Sequence, residues 1–274
     1  MTGNYRKWPI ILALGILTAP IILMYFYLFL DTVTNAPPGS LVPDEFTTEH
    51  WRFLWQTIPG RPSIWLATWN TLLFASITTL IVLVVSSAAG YALSRLNMPF
   101  RAFFLGGVMV LHAFPTVTLL IAIFLILQML GLYNTLFGVI MVKASLELPF
   151  GIWIMKGFYD TVPWEIEMAG IQDGATRFQV WTKLVLPNVK PAILALGIFS
   201  FLAGWSEFIL PLVLAPDNKV QVLSVYLAAL IADDNNFDMA LFKSVGVFYV
   251  IPVIILFVFF QNRLMNIYSG GTKG

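Results

Sequence analysis

Six stretches of about twenty or more largely apolar residues, parted by short polar clusters, leave this chain few ways to fold. Crossing about 30 Å of hydrocarbon takes roughly 20 apolar residues at 1.5 Å each. The stretches run over 8–30, 72–93, 103–129, 137–158, 192–214 and 241–260. Of 274 residues, 59% are hydrophobic and only 11% charged, where a soluble domain averages about 25% charged. The pattern excludes an ordinary soluble enzyme and predicts an all-α, polytopic membrane protein with one transmembrane domain over 1–274. The first span begins beside Arg6-Lys7, as a signal peptide would, but its 23 residues exceed the apolar core of a cleaved signal, so a retained helix is expected.

Charge placement sets the expected orientation. With alternating sides, Arg6, Lys7, Arg95, Arg101, Lys156, Arg177, Lys183, Lys190, Arg263 and Lys273 share one face, 10 of the 15 basic residues. That face is predicted to be cytoplasmic, with both termini on it. The opposite face carries Asp31, Asp44, Glu45, Glu49, Asp217, Asp233, Asp234 and Asp238, against Arg52, Arg61 and Lys219 in its loops.

Reactive groups are few. The chain has no cysteine and two histidines, His50 and His112, with no metal-ligand spacing between them. No Gly-Lys step occurs, so the phosphate-cradling Gly-x-x-x-x-Gly-Lys-Ser/Thr loop is absent and the chain is expected to be non-catalytic, without cofactor or metal of its own. His112 is read as a neutral side chain hydrogen-bonded between helices. Glu147 and Glu207 fall inside predicted spans, where an ionised acid costs roughly 3 kcal/mol. One reading puts them, with Trp205 stacking on a sugar face, along a substrate path. Another pairs Glu147 with Lys143 four residues back and has Glu207 lock helices together. A third makes the two acids the ion sites of a secondary transporter.

The inner segment 159–190 concentrates charge in a chain that otherwise avoids it: Asp160, Glu165, Glu167, Asp173, Arg177, Lys183 and Lys190. Pro163 suits the first turn of a helix and Gly174 suits its stop, which predicts a helix over 163–172. Thr176 is placed to cap a second helix with Phe178, Trp181 and Val185 on one stripe, ended by Pro187.

Within that segment, Met168-Ala169-Gly170, three residues, Gly174, nine residues, Leu184, one residue, Leu186-Pro187 resembles the cytoplasmic signature of binding-protein-dependent ABC transporter permeases: Glu-Ala-Ala, three residues, Gly, nine residues, Ile, one residue, Leu-Pro. Asp173-Gly174-Ala175, Trp205-Ser206-Glu207-Phe208 and the Gly270-Gly271-Thr272-Lys273-Gly274 tail are similar to the carbohydrate-uptake subfamily, in particular the second permease of maltose-type systems. Met168 stands where the signature has Glu, Gly170 where it has Ala, and Leu184 where it has Ile. Glu165 lies on the same face as Met168 and is the expected substitute for the missing acid, with Glu167, rotated by about 100°, a poorer one.

The resemblance implies a permease half in a bacterial or archaeal cytoplasmic membrane, importing a carbohydrate or polyol. Its implied partners are a homologous second permease, two cytoplasmic ATPase subunits that bind ATP and Mg, an external solute-binding protein and lipid, with no nucleic acid. It assigns ATPase coupling to Glu165, Glu167, Met168, Ala169, Gly170, Asp173, Gly174, Leu184, Leu186 and Pro187. It also assigns binding-protein contact to Asp233, Asp234, Asn235 and Asn236.

Overall fold

The computed structural model describes residues 7–35, 45–232 and 237–269, almost all of its ordered elements helical. Asp233, Asp234, Asn235, Asn236 and the Gly-rich tail lie outside the described residues. In chain order the helices are α1 (Lys7–Thr32), α2 (Ile64–Arg95), α3 (Arg101–His112), α4 (Thr116–Met129), α5 (Leu136–Asp160), α6 (Trp164–Gln172), α7 (Arg177–Gln179), a π-helical turn (Val180–Val185), α8 (Leu186–Asn188), α9 (Lys190–Trp205), α10 (Ile209–Leu214), α11 (Leu223–Ile231) and α12 (Met239–Ser269). Four of them, α1, α2, α5 and α12, are long and apolar enough to span a membrane, and bent helix pairs bring the candidates to as many as six.

Two compact units make up the chain. The first joins residues 1–63 to 227–251. Here α1 is apolar all round, as a lipid- or partner-facing helix is. A two-residue antiparallel ladder pairs Thr34 with Phe46, and Trp51 Nε1 donates to the Thr32 carbonyl at 3.1 Å. Asp31 pairs with Lys243, and Arg52 with Asp238 at 2.8 Å. Burial alone would raise the Asp238 carboxyl, but the Leu241 N–H and Arg52 hydrogen bonds and the Arg52 charge outweigh it and hold it below the usual carboxylate range.

The second unit joins 64–226 to 252–274, and α2 is its axis. Small residues let the neighbours close in on it. A Cβ added at Gly90 would stand 2.8 Å from Met155 Cβ and 2.9 Å from the Lys156 backbone nitrogen on α5. Gly151 of α5 rests on Ser86, and Gly204 of α9 sits against the Ala75 backbone of α2.

Two expected spans are not single helices. The third is broken at Ala113–Pro115, where α3 and α4 meet at 97°; Pro115 is extended at the N-cap of α4 and donates no N–H to the α3 ladder. The fifth stops after the 16 residues of α9 and resumes as the short α10. In a continuous helix residue 211 would donate to the Glu207 carbonyl; Pro211 cannot, and the Ser224 hydroxyl donates to that oxygen instead, at 2.6 Å.

Candidate functional site

The charged loop forms as its punctuation predicts, one residue shifted: Pro163 is the N-cap and α6 begins at Trp164. Its end is a Schellman stop. Gly174, at φ +83°, donates to the Ile171 carbonyl and Ala175 donates to that of Gly170, both at 3.0 Å. Thr176 and Gln179 then form a reciprocal capping box.

From there the expected stripe changes. Phe178 is 68% exposed, while Val180 and Val185 are buried. The cause is the π turn, closed by the Leu186 N–H on the Trp181 carbonyl, which brings residues five apart onto one face. Pro187 does not end this helix; α8 carries on through it and the chain breaks at Val189, where α9 departs at 76°.

The signature positions divide by exposure. Glu165, Met168, Ala169, Asp173, Gly174 and Pro187 are exposed, and Leu184 and Leu186 are half-buried. Gly170 is buried under the π turn, and a Cβ there would lie 2.5 Å from Leu184 Cδ1, so the Gly and Leu departures from the signature fill one another's space. Glu167 is corrected: at 1% exposure it is no surface acid for a partner. Its Oε1 sits 2.7 Å from Arg95 Nε at the end of α2, and Tyr91 Oη donates to its Oε2 at 3.2 Å.

Around that pair lies a polar seam. Ser94 Oγ donates to Asp160 at 2.6 Å, Ser87 Oγ and Tyr159 Oη share a hydrogen bond at 2.7 Å, and Trp181 Nε1 donates to Tyr159 Oη at 3.1 Å. From charge placement alone, Arg95 is an inside charge and no more. The signal for more was the spacing of Ser87, Tyr91, Ser94 and Arg95, a polar stripe at helical period in an apolar span.

A second charged cluster lies between α5 and the α9–α10 break. Lys143 Nζ is 3.2 Å from Glu147 Oε1 and 2.6 Å from Glu207 Oε2. Ser200 Oγ donates to Glu147 Oε2 at 2.5 Å, and the Leu210 N–H donates to Glu207 Oε1 at 3.3 Å. The expected Glu147–Lys143 pair is thus present, and Glu207 ties α5 to the break. Trp205, 1% exposed and stacked on Phe201, offers no face to a sugar, which corrects its place on a substrate path. His112 donates from Nδ1 to the Leu146 carbonyl of α5 at 3.3 Å and stacks on Phe150, the interhelical role expected for it.

Residues 84–266 match the family described as binding-protein-dependent transport system inner membrane component. The chain belongs to this family. That match takes in α5, the α6 loop and α9, and with the apolar helices it makes the chain a multi-pass membrane component of ABC transport. Among curated relatives, the sulfoquinovosyl glycerol transport system permease SmoH of Agrobacterium fabrum is 32% identical over 206 residues, 75% of this chain and 72% of the relative. The maltose/maltodextrin permease MalG of Salmonella typhimurium is 30% identical over 258 residues, 88% and 86% of the two chains. The trehalose permease SugB of Mycobacterium tuberculosis is 27% identical over 97% of each. A solved bacterial ABC transporter involved in import of the acidic polysaccharide alginate shares the fold, with TM-score 0.80 at 22% identity over 96% of this chain and 98% of that one.

Proposed function

We propose that this chain is one permease half of an ATP-driven importer for a carbohydrate or polyol. Six spans put both termini and α6 on the cytoplasmic side, a homologous permease completes the pathway, and two ATPase subunits supply ATP hydrolysis with Mg. An external binding protein delivers the cargo. The observation that carries this is the geometry of α6: a rigid, Schellman-stopped helix on a charged loop that presents Trp164, Glu165, Met168 and Ile171 outward while its inner face is locked to α2. Relatives named for maltose, trehalose and sulfoquinovosyl glycerol transport support the cargo class. The alginate transporter solved with a pentasaccharide-bound periplasmic protein, which shares the fold at TM-score 0.68, supports a binding-protein partner. The ion-coupled alternative loses ground because Lys143 already holds both Glu147 and Glu207.

Purification with its partners tests the reading: ATPase subunits accompany the chain, and reconstituted vesicles take up a carbohydrate or polyol only with ATP. Uptake on an ion gradient without any ATPase subunit would overturn it. Glu165→Ala, at an exposed site on the docking face, is expected to lower the ATPase recovered with the chain several-fold without changing the amount of folded permease, measured by quantitative co-purification. Gly174→Val is expected to let ATP hydrolysis continue while transport falls, because a left-handed residue costs a side chain about 1–2 kcal/mol and a β-branched one more. Uptake and phosphate release in the same vesicles check it.

A further inference from the structure

We infer that Arg95 is the positioning residue through which displacement of α6 reaches α2, so that α2 moves with the coupling helix although no peptide segment joins the two directly. This rests on the import reading above. By backbone, α6 is tied to α5 through Thr161, Val162 and Pro163, and to α9 through a longer stretch that contains the π turn and the bend at Val189. Its third attachment is to α2 and runs through side chains: Tyr91 reaches Glu167 alone, whereas Arg95 reaches Glu167, the end of α5 and Trp164 together.

The Arg95 guanidinium, from the last residue of α2, meets Glu167 through Nε. Through Nη2 it donates to the Tyr159 carbonyl at 2.7 Å and to that of Val162. The Tyr159 carbonyl lies in the last turn of α5, where it also accepts from the Val162 N–H at 3.2 Å, and Val162 lies in the three-residue link to α6. The same guanidinium lies 4.7 Å over the Trp164 ring at the start of α6. Arginine is suited to this because its planar fork serves several acceptors and an aromatic face at once. Both charged side chains are almost completely buried. A buried pair adds little stability over a well-packed apolar pair, so stability alone does not account for it. A directional tie among three elements does. The destination matters too, since α2 packs closely on both α5 and α9.

The test uses the assembled complex in proteoliposomes and reads substrate moved per ATP hydrolysed. Arg95→Gln with Glu167→Gln removes both charges together and so avoids a stranded buried ion. The double variant is expected to assemble and hydrolyse ATP, with transport per ATP down about tenfold. Arg95→Lys, which keeps the charge and loses the fork, falls between the two. A second measurement needs no change at the pair. The chain has no native cysteine, so spin labels at Ala88→Cys on α2 and Gln172→Cys on α6 report their separation, which is expected to stay the same with and without ATP. Wild-type transport per ATP in the double variant, or an α2–α6 distance that changes with nucleotide, overturns the inference. Absence of ATPase subunits from the wild-type complex overturns the import reading and this inference with it.

Discussion

Replacing Lys143 with methionine is expected to cost the folded permease about 3–5 kcal/mol, the usual penalty for removing one partner from a buried ionic group. Methionine keeps an unbranched stem one atom shorter, so the loss is chiefly of charge. Glu147 and Glu207 then lose the cation they share, and each keeps one donor, the Ser200 hydroxyl on Glu147 and the Leu210 N–H on Glu207. Two carboxylates so placed, with their shared cation gone, repel. The measurement is the thermal midpoint of detergent-purified protein, alongside the amount recovered from membranes. Adding Glu147→Gln and Glu207→Gln to the same chain is expected to restore most of the loss, since the repulsion is gone. If the single variant melts with the wild type, the cluster does not carry the charge balance its geometry implies.

The second large effect is expected at Gly90. A valine there drives its Cβ into Met155 Cβ and the Lys156 backbone nitrogen, and neither yields unless α5 itself shifts. Overpacking costs about 1–3 kcal/mol in ordinary cores, and here the upper end applies because a backbone atom is the obstacle. The separation of α2 and α5 also stretches Ser87–Tyr159 and Ser94–Asp160, so the loop loses its anchorage with the span packing. Limited proteolysis of the 159–190 loop, compared between Gly90→Val and the wild type, measures this. Equal protection in valine and wild type would mean the contact is looser than its distances.

What could be read beforehand was what one-dimensional spacing encodes. Apolar run lengths locate α1 and α5 to within two residues at each end, while α2 begins eight residues before its expected span and α12 ends nine residues beyond its own; Pro163, Gly174 and Thr176 mark the caps of α6 and α7, because capping depends on neighbours in sequence. What escaped depended on partners distant in sequence or on an altered helical period. A 3.6-residue period places Phe178, Trp181 and Val185 on one stripe, whereas the buried pair Val180 and Val185 shares a face only across a π turn. Glu167 looked like a loop acid because Arg95, 72 positions earlier, is invisible to local pattern. Trp205 and Glu207 are two residues apart, yet one is sealed in packing and the other holds Lys143, a difference set by the break after α9.

The interlock of Gly170 with Leu184 constrains how such loops can be exchanged between relatives. Grafting the first half of the segment from a chain with alanine at the equivalent of 170, while keeping this chain's second half, puts a methyl group where the Leu184 Cδ1 branch sits, so the leucine must repack. The opposite graft leaves a hole there. Functional hybrids should therefore inherit the stretch from α6 through the π turn as one block, and the two halves are expected to drift together as these permeases diverge.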